Sequence, residues 1–193
     1  ALAARAFMSI SFPLPMTSWV KPTGFGIDAI TSATPLSGDS VWQQFDPAVH
    51  QAMFLGNISG SLGETSALAI LIGGCLLLAL RVMNWRIPVT YIGVVAVLAL
   101  AFGQDPLFHI LAGGLLIGAF FMATDYVTSP LTNRGKIIFG VSLGILTMII
   151  RQFGGMPEGV CYSILFMNAI TPLIDRYTKG RPYGLVKRAK DAG

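Results

Sequence analysis

Uncharged apolar runs follow one another along most of the chain, and charged residues mark their ends. The runs cover residues 65–80, 87–104, 106–124, 137–150 and 159–174. A helix needs about 20 residues to cross the hydrocarbon layer of a membrane, so several of the runs are short for that purpose. The pattern predicts an all-α integral membrane bundle of about five spans within residues 64–175. Residues 1–20 are also apolar, and Pro13 and Pro15 interrupt them, which predicts the end of a preceding apolar segment.

Lysine and arginine are distributed unevenly between the two predicted sides of the bundle. The connections after the first, third and fifth runs, together with the tail at residues 176–193, hold ten of them. The other side holds only Lys21 and Arg151. Because positive residues favour the cytoplasmic side of a membrane, we expect a cytoplasmic carboxyl terminus and an extracytoplasmic segment at residues 21–63.

Composition supports the membrane prediction and excludes several other classes. The hydrophobic set makes up 53% of the residues and charged residues only 11%, far from the usage of soluble proteins. The net charge is +4, but the basic residues are distributed according to the predicted sides of the membrane, so we expect no nucleic-acid partner. Cys75 and Cys161 lie in apolar runs without a partner at metal-ligand spacing. His50 and His109 are not a facing pair on two spans, so haem ligation is not indicated.

The predicted extracytoplasmic segment contains a stretch of hydroxyl side chains, DAITSATPLSG, at residues 28–38. Pro35 holds the preceding Thr34 in an extended conformation, and the small residues before it leave the hydroxyl accessible. This geometry suits covalent modification by a bulky group, although a simple Ser/Thr-rich turn explains the same residues. Apolar side chains elsewhere in residues 21–63 favour a folded flap over the bundle.

A second polar stretch, FMATDYVTSPLTNRG at residues 121–135, lies on the predicted cytoplasmic side. Asp125 stands among several hydroxyl and amide side chains there, more than a simple connector needs. One interpretation is a loop that re-enters the membrane region and lines a polar site. The other is interfacial anchoring, which also explains Glu64 and Asp105 at the ends of other runs.

Several motifs together resemble one family of membrane proteins. The matching stretches are SFPLPMTSW, DAITSATPL, GETSALAILIGG, FMATDYVTSPLTNRG, IRQFGGMPEGV and NAITPLIDRYTKGRPYG. The chain resembles the C-terminal part of the D subunits of Rnf ion-translocating electron transport complexes (ferredoxin:NAD oxidoreductases). It is similar also to the B subunits of sodium-translocating NADH:quinone oxidoreductases. The resemblance implies the second half of a fold with about ten spans in two inverted repeats, like urea channels.

The resemblance also implies a cofactor and its attachment site. Asp28 to Thr34 follow the pattern Asp-x-x-[Ser/Thr]-x-Ala-Thr, at which a flavin transferase attaches flavin mononucleotide (FMN) through its phosphate. Thr34 would carry the FMN, and Asp28 and Thr31 would belong to the transferase recognition sequence. Ser32 departs from the pattern, since many such motifs have glycine there.

Further expectations follow from the family. The chain would be a multi-pass subunit in a bacterial or archaeal inner membrane, beside other subunits that include a second covalent-flavin subunit. It would move electrons across the membrane between flavins, coupled to sodium or proton translocation. A second, non-covalent flavin such as riboflavin is expected between spans, and Asp125, Thr128 and Arg134 are its predicted neighbours or part of an ion path. The alternative is a channel or transporter for a small polar solute, and a third interpretation is a scaffold subunit without a cofactor.

Overall fold

The computed structural model describes residues 2–13, 16, 19–20, 31–32, 46–58, 63–154 and 159–179. Asp28, Thr34 and the tail beyond residue 179 lie outside the described residues. The described helices are α1 (Leu2–Ser11), α2 (Pro47–Leu55), α3 (Ala67–Ala79), α4 (Arg86–Ala101), α5 (Pro106–Leu111), α6 (Leu115–Ile117), α7 (Asn133–Phe153) and α8 (Gly159–Thr178). A π-helical turn, Gly118–Met122, continues α6. The two-residue strands β1 (Trp19–Val20) and β2 (Thr31–Ser32) pair antiparallel.

The core of the bundle lies between α4, α7 and α8. On α4, Ile87, Tyr91, Val95 and Ala99 recur at every fourth position and are buried, so they form one face of the helix. This face belongs to a cluster with buried side chains of α7 and α8. Within that contact the Tyr91 hydroxyl and Thr147 Oγ1 are 2.7 Å apart and share a hydrogen bond.

Two glycines of α7 allow α4 and α7 to approach closely. A Cβ atom on Gly144 would lie 2.7 Å from Val94 Cβ, and one on Gly140 would collide with Thr90 Oγ1. Small residues four positions apart on one helix let a neighbouring helix pack tightly against it, as they do here.

The helices match the predicted runs in position but differ from them in length. Among the described residues one helix, Asn133–Phe153, is both long and apolar enough to cross a membrane. The apolar helices α1, α3 and α4 are shorter, with 10 to 16 residues. The helical character is confirmed, whereas the number of spans and the inverted-repeat fold stay predictions.

The third predicted span, residues 106–124, is not one continuous helix. It ends as α5 at Leu111 and starts again as α6 at Leu115. Gly113 and Gly114 between them have φ angles of 65° and 67°, in the left-handed region that interrupts a right-handed helix. Residues 106–124 therefore form a broken helix, and residues 112–114 are called the break below.

Part of the predicted extracytoplasmic segment folds onto the bundle. Asp46 caps α2, because its carboxylate accepts a hydrogen bond from the backbone N–H of Ala48, and Gly56 ends the helix with a φ of 96°. Met53 of α2 is fully buried in a cluster with Phe108 and Ala112 of the broken helix. Residues 46–58 thus lie against the same element that contains the break.

Candidate functional site

The predicted flavin-attachment stretch is described only at Thr31 and Ser32. Their backbones form β2, where Thr31 pairs with Val20 and Ser32 with Trp19. The strand ends two residues before Thr34, which lies outside the described residues together with Asp28. The assignment of these residues to flavin attachment stays a prediction.

The predicted cytoplasmic site is an exposed turn. Thr128 Oγ1 donates a hydrogen bond of 3.3 Å to Asp125 Oδ2. Arg134 lies in the first turn of α7 and is exposed. In the described part of the chain no ion pair joins Arg134 to Asp125. The structure brings two of the three predicted residues together and leaves the third apart from them.

This turn lies at the surface of the described bundle, and its re-entry into a membrane stays a prediction. Asp125 and Tyr126 are exposed, and Val127 is 88% exposed. The Tyr126 hydroxyl donates a hydrogen bond to the carbonyl oxygen of Val82, and Asp175 Oδ1 accepts one from the backbone N–H of Leu131. The Tyr126 side chain and Asp175 of α8 therefore hold the turn to its neighbours.

Charged side chains meet instead at the break in the predicted third span. At the end of α5, Arg151 Nη1 donates a hydrogen bond of 2.7 Å to the carbonyl oxygen of His109, and Nη2 donates one of 3.0 Å to that of Ala112. The last carbonyl groups of a helix have no partner within it and carry a partial negative charge. The guanidinium group of α7 satisfies two carbonyls at this break.

A carboxylate lies on the other side of the break. A Cβ atom on Gly114 would be 2.8 Å from Glu64 Cδ and 3.0 Å from both carboxylate oxygens. Glu64 forms an ion pair with Arg5 of α1, and the two side chains are only 14% and 22% exposed. Gly114 is thus needed for its left-handed backbone and also because the carboxylate occupies the space of a side chain.

A histidine and an aspartate lie at the beginning of the broken helix. Asp105 caps α5, since its Oδ1 accepts a hydrogen bond of 2.9 Å from the backbone N–H of Leu107. Its Oδ2 lies 2.8 Å from His50 Nε2 of α2, an ionic contact whenever the imidazole is protonated, although the angle is poor for a hydrogen bond. His109 is 5% exposed, and neither of its ring nitrogens has a hydrogen-bond partner among the described residues.

Sequence reasoning assigned the residues around the break to other roles. Glu64 and Asp105 were interpreted as interfacial residues, and Arg151 only as a charge at the end of a run. The available signal was the pair Gly113 and Gly114 inside an apolar run, since adjacent glycines can mark an interruption. Nothing in the sequence indicates that Arg5 and Glu64, 59 positions apart, form a pair.

Comparison with known proteins gives a consistent result. The family model described as "NQR2, RnfD, RnfE family" matches residues 1–184. The chain is 49% identical to the D subunit of the proton-translocating ferredoxin:NAD(+) oxidoreductase complex of Clostridium ljungdahlii, over 93% of this chain and 59% of that protein. It is 47% identical to the D subunit of the Na(+)-translocating ferredoxin:NAD(+) oxidoreductase complex of Acetobacterium woodii, over 100% of this chain and 60% of that protein.

A third relative extends the comparison to another complex of the same type. The chain is 41% identical to the D subunit of the ion-translocating oxidoreductase complex of Stutzerimonas stutzeri, over 98% of this chain and 64% of that protein. The chain spans about three fifths of the length of these curated relatives. A match of this extent shows the family: the chain belongs to the NQR2, RnfD, RnfE family.

Proposed function

We propose that this chain is part of the D subunit of an ion-translocating ferredoxin:NAD oxidoreductase complex and carries FMN on Thr34. The observation that carries the proposal is the similarity of nearly the whole chain to proteins named as D subunits of such complexes. The sequence from Asp28 to Thr34 supports the attachment site, because it follows the pattern that a flavin transferase recognises. The linkage is a phosphoester between the FMN phosphate and the threonine hydroxyl.

In this proposal the flavin supplies the redox chemistry, and the protein supplies its position and its surroundings. Pro35 keeps Thr34 extended. The pairing of β2 with β1 fixes the backbone just before the attachment site. The proposal explains why catalytic side-chain groups are sparse in the sequence.

The membrane arrangement is part of the same proposal. The chain is a multi-pass protein of a bacterial or archaeal inner membrane, with the Thr34 segment outside the cytoplasm and the carboxyl terminus inside it. The ten-to-two distribution of Lys and Arg supports this orientation. Electrons pass between Thr34-bound FMN, the second covalent-flavin subunit outside and a non-covalent flavin within the membrane part.

Asp125, Thr128 and Arg134 are proposed as neighbours of the non-covalent flavin or of the ion path on the cytoplasmic side. The contact between Asp125 and Thr128 supports a shared role for these two residues. The exposure of Arg134 favours contact with another subunit or with a ligand at the surface. Complexes with Asp125→Asn or Thr128→Ala should lose flavin content or ion-coupled turnover; full retention of both would remove these residues from the proposal.

A channel or transporter for a small polar solute is the second candidate function. The broken helix at residues 112–114 favours it, because discontinuous helices often line substrate sites in transporters. The two candidates differ in the covalent flavin, which a channel does not need.

Fluorescence of the denatured polypeptide in a gel separates the two functions. The protein is made with an active flavin transferase, as wild type and as Thr34→Val, and the gel is viewed under ultraviolet light. Ser32→Ala is a matched control, because it removes a nearby hydroxyl group at a variable position of the attachment pattern and should keep its fluorescence. We expect fluorescence in the wild type and none in Thr34→Val. A dark wild-type band would defeat the proposed function and favour the channel.

A further inference from the structure

The charge pair Arg5–Glu64 lies in the predicted membrane region and is not part of the proposed flavin site. Arg5 lies in α1, and Glu64 lies two residues before Ser66, the residue that caps α3. Both side chains are largely buried. An ionisable pair with so little solvent exposure is costly unless its charges compensate each other. Ionisable residues inside a membrane commonly mark ion pathways.

The carboxylate of this pair lies directly at the break. Its oxygens occupy the space beside Gly114 where any other residue would have its side chain. The break interrupts the regular backbone hydrogen bonds of the predicted third span, and in transporters such interruptions near the middle of the membrane hold coupling ions. A carboxylate and an interrupted helix are the two components that such sites combine.

A small cavity adjoins the pair. Its volume is about 10 Å³, and its walls include Arg5, Glu64, Gly113 and Gly114. A cavity of this size holds about one water molecule, and a dehydrated sodium ion needs a similar space. The carboxylate therefore has room beside it for one small cation.

We propose that Glu64 binds the translocated monovalent cation, a sodium ion or a proton, and that Arg5 is the resident counter-ion that holds the carboxylate when this cation is absent. Binding one cation while the guanidinium group moves away keeps the charge at the carboxylate constant. The exchange thus avoids leaving a buried carboxylate unpaired, the state that is most costly. The inference rests on the proposed function, because it concerns the ion path of that same complex.

Arg151 makes the carbonyl groups at the end of α5 unsuited to a cation. Its guanidinium group donates to the carbonyl oxygens of His109 and Ala112. Two of the carbonyl groups that could coordinate a cation are therefore already bonded to a positive group. The carboxylate side of the break is left as the place for an incoming cation.

The test uses the full-length protein in its purified complex, reconstituted into vesicles. Uptake of sodium and of protons is measured for each electron transferred, in wild type, Glu64→Gln and Arg5→Gln. Asp46→Asn is the matched control, because it also removes one carboxylate charge, while asparagine still caps α2.

For Glu64→Gln we expect covalent flavin equal to that of the wild type. Cation uptake should fall to the leak measured in vesicles without protein. For Arg5→Gln we expect half-maximal turnover at a lower sodium concentration in a sodium-transporting complex. In a proton-transporting complex the same variant should be half-maximally active at a higher pH. Asp46→Asn should behave as the wild type.

The inference is overturned if Glu64→Gln transports cations with the wild-type ratio. If Glu64→Gln does not assemble, Arg5→Gln decides, and an unchanged dependence on sodium and on pH overturns the inference. A wild-type protein without covalent flavin would instead contradict the proposed function, so the two failures are distinguishable.

Discussion

Substitution of Gly114 by alanine tests the geometry of the break. The residue has a φ of 67°, and a non-glycine residue in this region costs about 1 to 2 kcal/mol. The new Cβ atom would also lie 2.8 Å from Glu64 Cδ, so the carboxyl group has to move, which adds about 1 to 3 kcal/mol of overpacking. We expect Gly114→Ala to lower the free energy of unfolding by about 2 to 5 kcal/mol.

Gly103 provides a matched control for the backbone term. Its φ is 71°, and a Cβ atom there would have nothing within 4 Å. Gly103→Ala should therefore lower the free energy of unfolding only by the cost of a left-handed backbone at alanine, about 1 to 2 kcal/mol. The full-length protein in detergent micelles is titrated with sodium dodecyl sulfate, and loss of helicity is followed by circular dichroism.

A double-mutant cycle isolates the contact with the carboxylate. In the Glu64→Ala background the added methyl group of Gly114→Ala no longer meets a carboxyl group, so its effect should fall to that of Gly103→Ala. If Gly114→Ala and Gly103→Ala lower the free energy of unfolding equally in the protein with Glu64, then Glu64 does not lie over Gly114.

Three further substitutions address other contacts, each measured in the same titration. Arg151→Met removes the hydrogen bonds to the carbonyl oxygens of His109 and Ala112 and should cost about 1 to 3 kcal/mol, whereas Arg134→Met, at an exposed arginine of the same helix, should cost no more than about 0.5 kcal/mol. Tyr91→Phe should cost about 1 to 3 kcal/mol because it leaves the Thr147 hydroxyl buried without its partner. The double variant Tyr91→Phe/Thr147→Val should cost less than the two single variants added together. Met53→Ala should cost about 2 to 5 kcal/mol, and a cost near zero would show that α2 does not pack on the bundle.

The apolar runs of the sequence predicted the positions of α3, α4, α7 and α8, whereas no helix was predicted at α2, within residues 21–63. Charged residues end the runs, and Asp46, Ser66 and Asp105 provide the caps that begin three helices. The break was not predicted, because ILAGGLL is as apolar as a continuous span and hydropathy does not register backbone conformation. Only the positive φ angles of its two glycines reveal it.

The candidate site divides in the same way. Thr34 could be proposed from the sequence because a modification motif is a local pattern of residues. The pairs Arg5–Glu64 and His50–Asp105 could not, because they join residues 59 and 55 positions apart, and only the packing of helices brings them together. Asp125 and Thr128 were expected beside a flavin or an ion path; the structure shows them hydrogen-bonded to each other on an exposed turn, and their role stays a prediction.

Peptide mass spectrometry shows whether Thr34 carries FMN. The full-length protein is produced with an active flavin transferase and digested, and the peptide that contains residues 22–45 is fragmented to locate the added mass. We expect the added mass of an FMN phosphoester on Thr34, with Thr31 and Ser32 unmodified. An unmodified peptide, or flavin on any other hydroxyl group of the peptide, would show that Thr34 does not carry FMN.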